Sequence, residues 1–112
     1  MPDVVDLLAP ADGNGVVWST SPEGFHANLV SLEPGAAIEA HRNDEVDVLV
    51  IVVAGEGRVD VDGVPTAVRG GTAVVVPKGT VRRIVATGGG AGLRYVTVHA
   101  RRGPMSIGGP RR

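Results

Sequence analysis

The sequence lacks cysteine altogether, and its 112 residues include only one tryptophan, one tyrosine and one phenylalanine. Without cysteine the chain has no disulfide, no thiol nucleophile and no thiolate ligand for a metal. So few rings offer little surface for stacking bases, and a net charge of -1 gives no general attraction to a phosphate backbone. We therefore expect neither a disulfide scaffold nor a nucleic-acid-binding protein.

The sequence also shows no signal for export or membrane insertion. Residues 1–6 contain no basic segment and no long apolar stretch, so a signal peptide is not expected. The longest strongly apolar run, residues 48–54, is far shorter than the ~20 residues that a membrane-spanning helix needs. These features predict a cytoplasmic protein that has no membrane partner.

Valine, glycine and proline are the abundant residues, at 21, 17 and 8 of the 112. Valine is stiff and suits a pleated surface, whereas glycine and proline mark turns, so the composition predicts one all-β domain of short strands. Alternating polar and apolar residues bounded by turn residues indicate nine strands. These are residues 16–19, 25–33, 37–40, 46–54, 57–62, 66–69, 73–76, 81–87 and 93–100.

Individual strands predict how the sheet is buried. Arg58 and Asp60 alternate with valines, which indicates one wet face and one buried face, and the following Asp62-Gly63 is typical of a hairpin turn. Residues 48–53 are apolar throughout, so we expect that strand to be buried on both faces. Such a strand favours a closed barrel or a tight sandwich.

Two segments carry spaced glycine, proline and histidine positions. The first, GAAIEAHRN at residues 35–43, runs on to Gly55, and the second, GTAVVVPKGTVR at residues 71–82, contains Gly71, Pro77 and Gly79. They resemble the two motifs of the cupin family, GxxxxxHxH with a later ExxxxxxG, and GxxxxxPxGxxHxxxN. The resemblance implies a jelly-roll β-barrel over residues 1–102, with a ligand site in its mouth. A Gly/Pro/Arg-rich tail, residues 103–112, should add little to the barrel.

The family usually binds a divalent transition metal through three histidines and one carboxylate. By resemblance His41 keeps the first ligand, while Asn43 and Arg82 stand at the second and third histidine positions. For the carboxylate, counting forward from Asn43 reaches Asp47, whereas counting back from Gly55 reaches Val48. Neighbouring strand residues face opposite sides, so only one of these two points inward, and we favour Val48. No metal cofactor is therefore favoured; if one binds, His41 and Asp47 are its expected ligands.

Arg82 is the most informative of these substitutions. A guanidinium stays protonated and has no lone pair for a metal, but it binds carboxylate or phosphate through paired hydrogen bonds. It either anchors an anionic ligand, turns outward, or pairs with Glu45 or Asp47 in the mouth. His26 and Asn28 alternate along the preceding strand in phase with apolar residues, so they either point to the mouth or lie on the surface or rim.

These features predict a protein that binds a small, anionic molecule in the barrel mouth without a standard metal centre. The expected ligand contacts are His41, Asn43, Arg82, His26 and Asn28. A metal-dependent oxygenase or isomerase using His41 with non-standard ligands is one alternative. A metal-free acid–base enzyme using His41 and Arg82 is the other, so the residues leave open whether the protein is an enzyme. We also expect a homodimer, because a valine-rich sheet edge invites pairing.

Overall fold

Eight β-strands form the regular structure of residues 3–88 and 90–101, which are the residues that the computed structural model describes. The strands are β1 (Gly15–Thr20), β2 (Phe25–Leu32), β3 (Ala37–Arg42), β4 (Val48–Val61), β5 (Val64–Arg69), β6 (Ala73–Val76), β7 (Val81–Ala86) and β8 (Leu93–Ala100). Within this part of the chain there is no helix long and apolar enough to span a membrane. The predicted tail, residues 103–112, lies outside the described residues.

The strands form one curled antiparallel sheet with two halves that share β4. In the first half the order is β1, β2, β8, β4 and β6, and in the second it is β3, β7, β4 and β5. Residues 48–55 of β4 pair with β6 and β8, and residues 56–61 pair with β5 and β7. The all-β, jelly-roll prediction is therefore confirmed.

Strand β4 is one long strand where the sequence predicted two, residues 46–54 and 57–62. The chain bends at Gly55, which has a φ of 88°, and the pairing with β8 shifts by one residue between Val52 and Ala54. A bulge and a glycine let the strand bend and change partners while its hydrogen-bond ladder continues. The count of nine strands was wrong because Gly55 and Gly57 mark this bend and do not end the strand.

The core lies between the two halves of the sheet. Val48, Val50 and Val52 are fully buried there, together with residues such as Ile84 and Tyr95 from facing strands. Leu49, between two of these valines, is 36% exposed. The expectation that residues 48–53 are buried on both faces was therefore wrong, because the outer face of this half-sheet is partly open to solvent.

The second half of β4 behaves as its pattern predicted. Val59 is buried, while Arg58 on the outer face forms an ion pair with Asp60 at 2.7 Å. The hydrogen bond to Asp60 raises the pKa of Arg58, and the negative charge of Asp60 raises it further by a smaller amount. Asp62 and Gly63 then close the hairpin to β5 with φ values of 50° and 81°. Positive φ at both central residues is the requirement of the turn that Asp-Gly favours.

Candidate functional site

One end of the barrel gathers the polar side chains that point inward. At this end β3 finishes, β7 begins, β2 begins and β8 finishes, and we call it the mouth. On β8, Thr97 lies opposite the core residue Val50 and is itself buried, so this row of β8 faces the interior. The same row continues to His99, and the opposite row of β2 continues through Asn28 to His26. Both strands therefore change from an apolar to a polar lining as they approach the mouth.

His41 and Arg82 lie directly opposite each other across β3 and β7. Side chains at such positions share one face, and their Cβ atoms are about 4.5–5.5 Å apart. Ile38 and Ile84 form another opposed pair of the same strands, and Ile84 is in the core, so the face shared by Arg82 is the inner one. A register shift between Ile38 and His41 keeps both residues on this face, although three positions separate them.

Arg82 points into the barrel, which excludes the outward-turned alternative. Its side chain is half-buried and its Nε atom is fully buried. His41 is more exposed, with its Nδ1 atom 3.4 Å from the carbonyl oxygen of Glu39. The permanent charge of the pair thus lies deeper in the mouth than the imidazole.

Tyr95 joins this site, although the sequence alone did not select it as a ligand residue. Burial raises the pKa of Tyr95 to about 12, and the nearby charge of Arg82 opposes that rise. The phenol is therefore a neutral hydrogen-bonding group at physiological pH. A signal for it existed in the sequence, because Tyr95, Thr97 and His99 alternate along the last strand.

The carboxylate position is occupied by valine. Val48 is buried in the core, whereas Asp47 is exposed and its Oδ1 accepts a hydrogen bond from the backbone N–H of Lys78 at 2.9 Å. Asp47 therefore ties the loop before β4 to the loop after β6. Asp47 is therefore not placed to ligate a metal in the mouth. The expectation that His41 and Asp47 would be the ligands of any bound metal was wrong for Asp47.

Asn43 supports the same loop. Its Oδ1 accepts hydrogen bonds from the N–H groups of Glu45 and Val46 at 3.0 and 3.3 Å, and its carbonyl oxygen accepts one from Gly79 at 2.7 Å. An amide oxygen has two lone pairs, and both are used here. The side-chain oxygen that we expected to contact a ligand therefore stabilises a turn.

His26 and Asn28 lie on the sheet half opposite His41 and Arg82. His26 Nε2 and Asn28 Oδ1 are 3.1 Å apart, and the imidazole ring of His26 is 5.2 Å from that of His99, between centroids. The residues predicted to contact a ligand therefore separate into a β3–β7 pair, a β2–β8 group and the turn residue Asn43. Among residues 3–88 and 90–101, no three His, Cys, Asp or Glu side chains are grouped so that they could hold a metal.

The architecture and the motif positions agree with the comparison to known families. The family model for the cupin domain matches residues 28–99, which is more than half of the chain. The protein therefore belongs to the cupin family. No curated protein sequence matches it.

Solved structures from several bacteria share the fold. KdgF from Halomonas sp. is 25% identical, with a TM-score of 0.67 over 82% of this chain and 81% of that one. BH2720 from Bacillus halodurans is 20% identical, with a TM-score of 0.76 over 92% and 83% of the two chains. An RmlC-like cupin from Desulfovibrio desulfuricans is 18% identical, with a TM-score of 0.75 over 89% and 97%. The last two likenesses show the fold alone.

The residues at the family's metal positions do not fit a metal ion. His41 offers one imidazole, the oxygen of Asn43 already accepts two hydrogen bonds, and Val48 has no donor atom. Arg82 would place a permanent cation beside the metal.

Proposed function

We propose that this cupin binds a small carboxylate-bearing molecule in the mouth of its barrel, with Arg82 in place of the positive charge of a metal. The observation that carries the proposal is the register of β3 and β7, which sets His41 opposite Arg82 on the inner face. A guanidinium recognises a carboxylate through two parallel hydrogen bonds, which fixes the orientation of the ligand as well as its charge.

The surroundings of Arg82 strengthen such an interaction. Its Nε atom is buried, and the neighbouring Tyr95 is almost fully buried, so a carboxylate beside them is partly removed from water. Charge-assisted hydrogen bonds gain strength as the local dielectric falls. Tyr95 supplies a neutral hydroxyl, and His41 supplies an imidazole at the outer edge. The site therefore offers one anion anchor and two hydrogen-bonding groups.

A library of small carboxylates, screened by thermal shift, tests this proposal. A compound that binds the folded protein alone and is present at 100 times its dissociation constant should stabilise it by about 2.7 kcal/mol. The stabilising compounds should be anions, and their neutral amides should have no effect. Stabilisation by amides equal to that by acids would contradict recognition through Arg82.

The chain is also expected to form a homodimer through the open edge of β1. This strand lies at one end of the strand order, and Val16 on it is 60% exposed. Light scattering at micromolar concentration should therefore give the mass of two chains, and Val16→Lys should give a monomer, because a charge blocks edge pairing. The matched control is Val64→Lys on β5, at 64% exposure, which should remain dimeric. A monomeric wild type would contradict this expectation.

A further inference from the structure

His26 and His99 form a cross-strand pair that the proposed anion site does not use. They are directly opposite each other in the antiparallel register of β2 and β8, and their ring centroids are 5.2 Å apart. Both side chains are half-buried, and they line a cavity of about 200 Å³ together with Ser21 and Arg101. Two imidazoles are thus held side by side at the rim of the barrel.

The hydrogen bonds of the pair determine which nitrogen of each ring carries the proton. His26 Nε2 lies 3.1 Å from Asn28 Oδ1, and His99 Nδ1 lies 2.8 Å from the carbonyl oxygen of Ala100. Carbonyl oxygens only accept, so these two nitrogens are the donors. In the neutral rings the lone pairs are then on His26 Nδ1 and His99 Nε2. An imidazole whose second nitrogen donates to a carbonyl oxygen is the usual arrangement of a metal-bound histidine.

The separation of the rings agrees with this interpretation. An imidazole nitrogen lies about 2.0–2.1 Å from a bound zinc ion, so two rings sharing one ion at a tetrahedral angle have centroids roughly 5 Å apart. The observed separation is 5.2 Å. Two imidazoles at this separation are therefore close enough to share one ion.

We infer that His26 and His99 form a second site, which binds a divalent late transition ion such as Cu²⁺ or Zn²⁺. Imidazole nitrogen suits both ions, and Cu²⁺ should bind more tightly than Zn²⁺ to the same donors. Two protein ligands leave the other coordination positions to water, so the ion should exchange readily. The inference does not depend on the anion-binding role of Arg82, which lies on the other half of the sheet.

Arg101 works against this site and provides an independent test of it. It lines the same cavity, and its guanidinium donates to the carbonyl oxygen of Pro22 at 3.3 Å. A fixed positive charge near the imidazoles repels a second cation. Removing Arg101 should therefore strengthen metal binding, whereas a site elsewhere in the protein would be unaffected.

The experiment is calorimetric titration of the untagged, chelator-washed full chain with Cu²⁺ and separately with Zn²⁺. Wild type should bind one ion per chain, and His26→Ala and His99→Ala should each lose that binding. Asn28→Ala removes the acceptor of His26 and should weaken binding by roughly 10–100-fold, as loss of such supporting hydrogen bonds does elsewhere. Arg101→Ala should bind more tightly than wild type.

His41→Ala distinguishes this site from the family's motif position, because it removes the remaining histidine of the chain. Binding that survives in His41→Ala and disappears in His99→Ala supports the inference. Binding lost in His41→Ala and retained in His99→Ala, or no binding by a wild type that circular dichroism shows to be folded, would overturn it. An ion held by His41 would contradict both proposals, because His41 lies opposite Arg82. Absence of binding by a folded wild type would overturn the metal site alone and leave carboxylate binding by Arg82 untouched.

Discussion

Gly55→Ala should destabilise the protein by roughly 2–6 kcal/mol, through backbone strain and overpacking together. Gly55 has a φ of 88°, which residues other than glycine rarely adopt. A Cβ atom built on it would lie 1.8 Å from the carbonyl oxygen of Gly92. Because that oxygen belongs to backbone, β4 or the β7–β8 loop would have to move. The free energy of unfolding of a typical domain is only about 5–15 kcal/mol, so this substitution could remove a large part of it. Urea denaturation followed by circular dichroism measures the loss.

Gly63→Ala is the matched control for this prediction. Gly63 has a similar φ of 81°, but a Cβ atom there would have no neighbour within 4 Å. Gly63→Ala therefore has the backbone strain of about 1–3 kcal/mol but no steric clash of the new Cβ atom. Equal losses in the two variants would show that the close approach of Gly55 and Gly92 does not constrain the barrel.

Arg82→Ala should weaken binding of a carboxylate found in the library screen by about 2–5 kcal/mol, which is roughly 30-fold to 5,000-fold in the dissociation constant. The loss is large because the ligand anion would remain partly desolvated without its partner. Arg82→Lys keeps the charge but lacks the planar fork, so it should fall between wild type and alanine. Titration calorimetry of the three proteins with one ligand measures the series.

Arg83→Ala is the appropriate control, since it removes the same charge from the next residue. Arg83 is exposed and lies on the outer face of β7, opposite Asp60 of β4. The Arg83→Ala variant should bind the ligand with nearly the affinity of wild type, because the charge it removes lies outside the mouth and is screened by salt. If the ligand binds equally well to Arg82→Ala and wild type, Arg82 is a structural charge and the proposed anchor is wrong.

The fold could be predicted from the sequence because its turns depend on local chemistry. Asp62-Gly63 and the spaced glycine and proline of both motifs act within a few residues, so they are readable one position at a time. Gly55 was misread because a glycine that bends a continuous strand looks the same in sequence as one that ends it. Only the partners of β4 on either side of Gly55 separate the two cases.

The site was less predictable because its residues meet through pairing between distant strands. Motif counting placed His41 and Arg82 near one position, but the register shift that sets them directly opposite is a property of the β3–β7 pair. The choice between Asp47 and Val48 depended on the register of β4, because a shift of one residue moves every side chain of a strand to the opposite face. His26 and His99 are paired because β2 lies beside β8, and no pattern within either strand predicts that these two strands are neighbours.

The metal content of untagged protein purified without chelator tests most directly whether a guanidinium supplies the positive charge of the mouth. Elemental analysis should find far less than one Fe, Mn, Ni, Cu or Zn ion per chain, since a single imidazole at the motif positions cannot hold a metal tightly and an ion held by His26 and His99 exchanges readily. Any residual metal should depend on His99. Close to one ion per chain that is lost in His41→Ala and kept in His99→Ala would show that a metal, and not Arg82, supplies this charge.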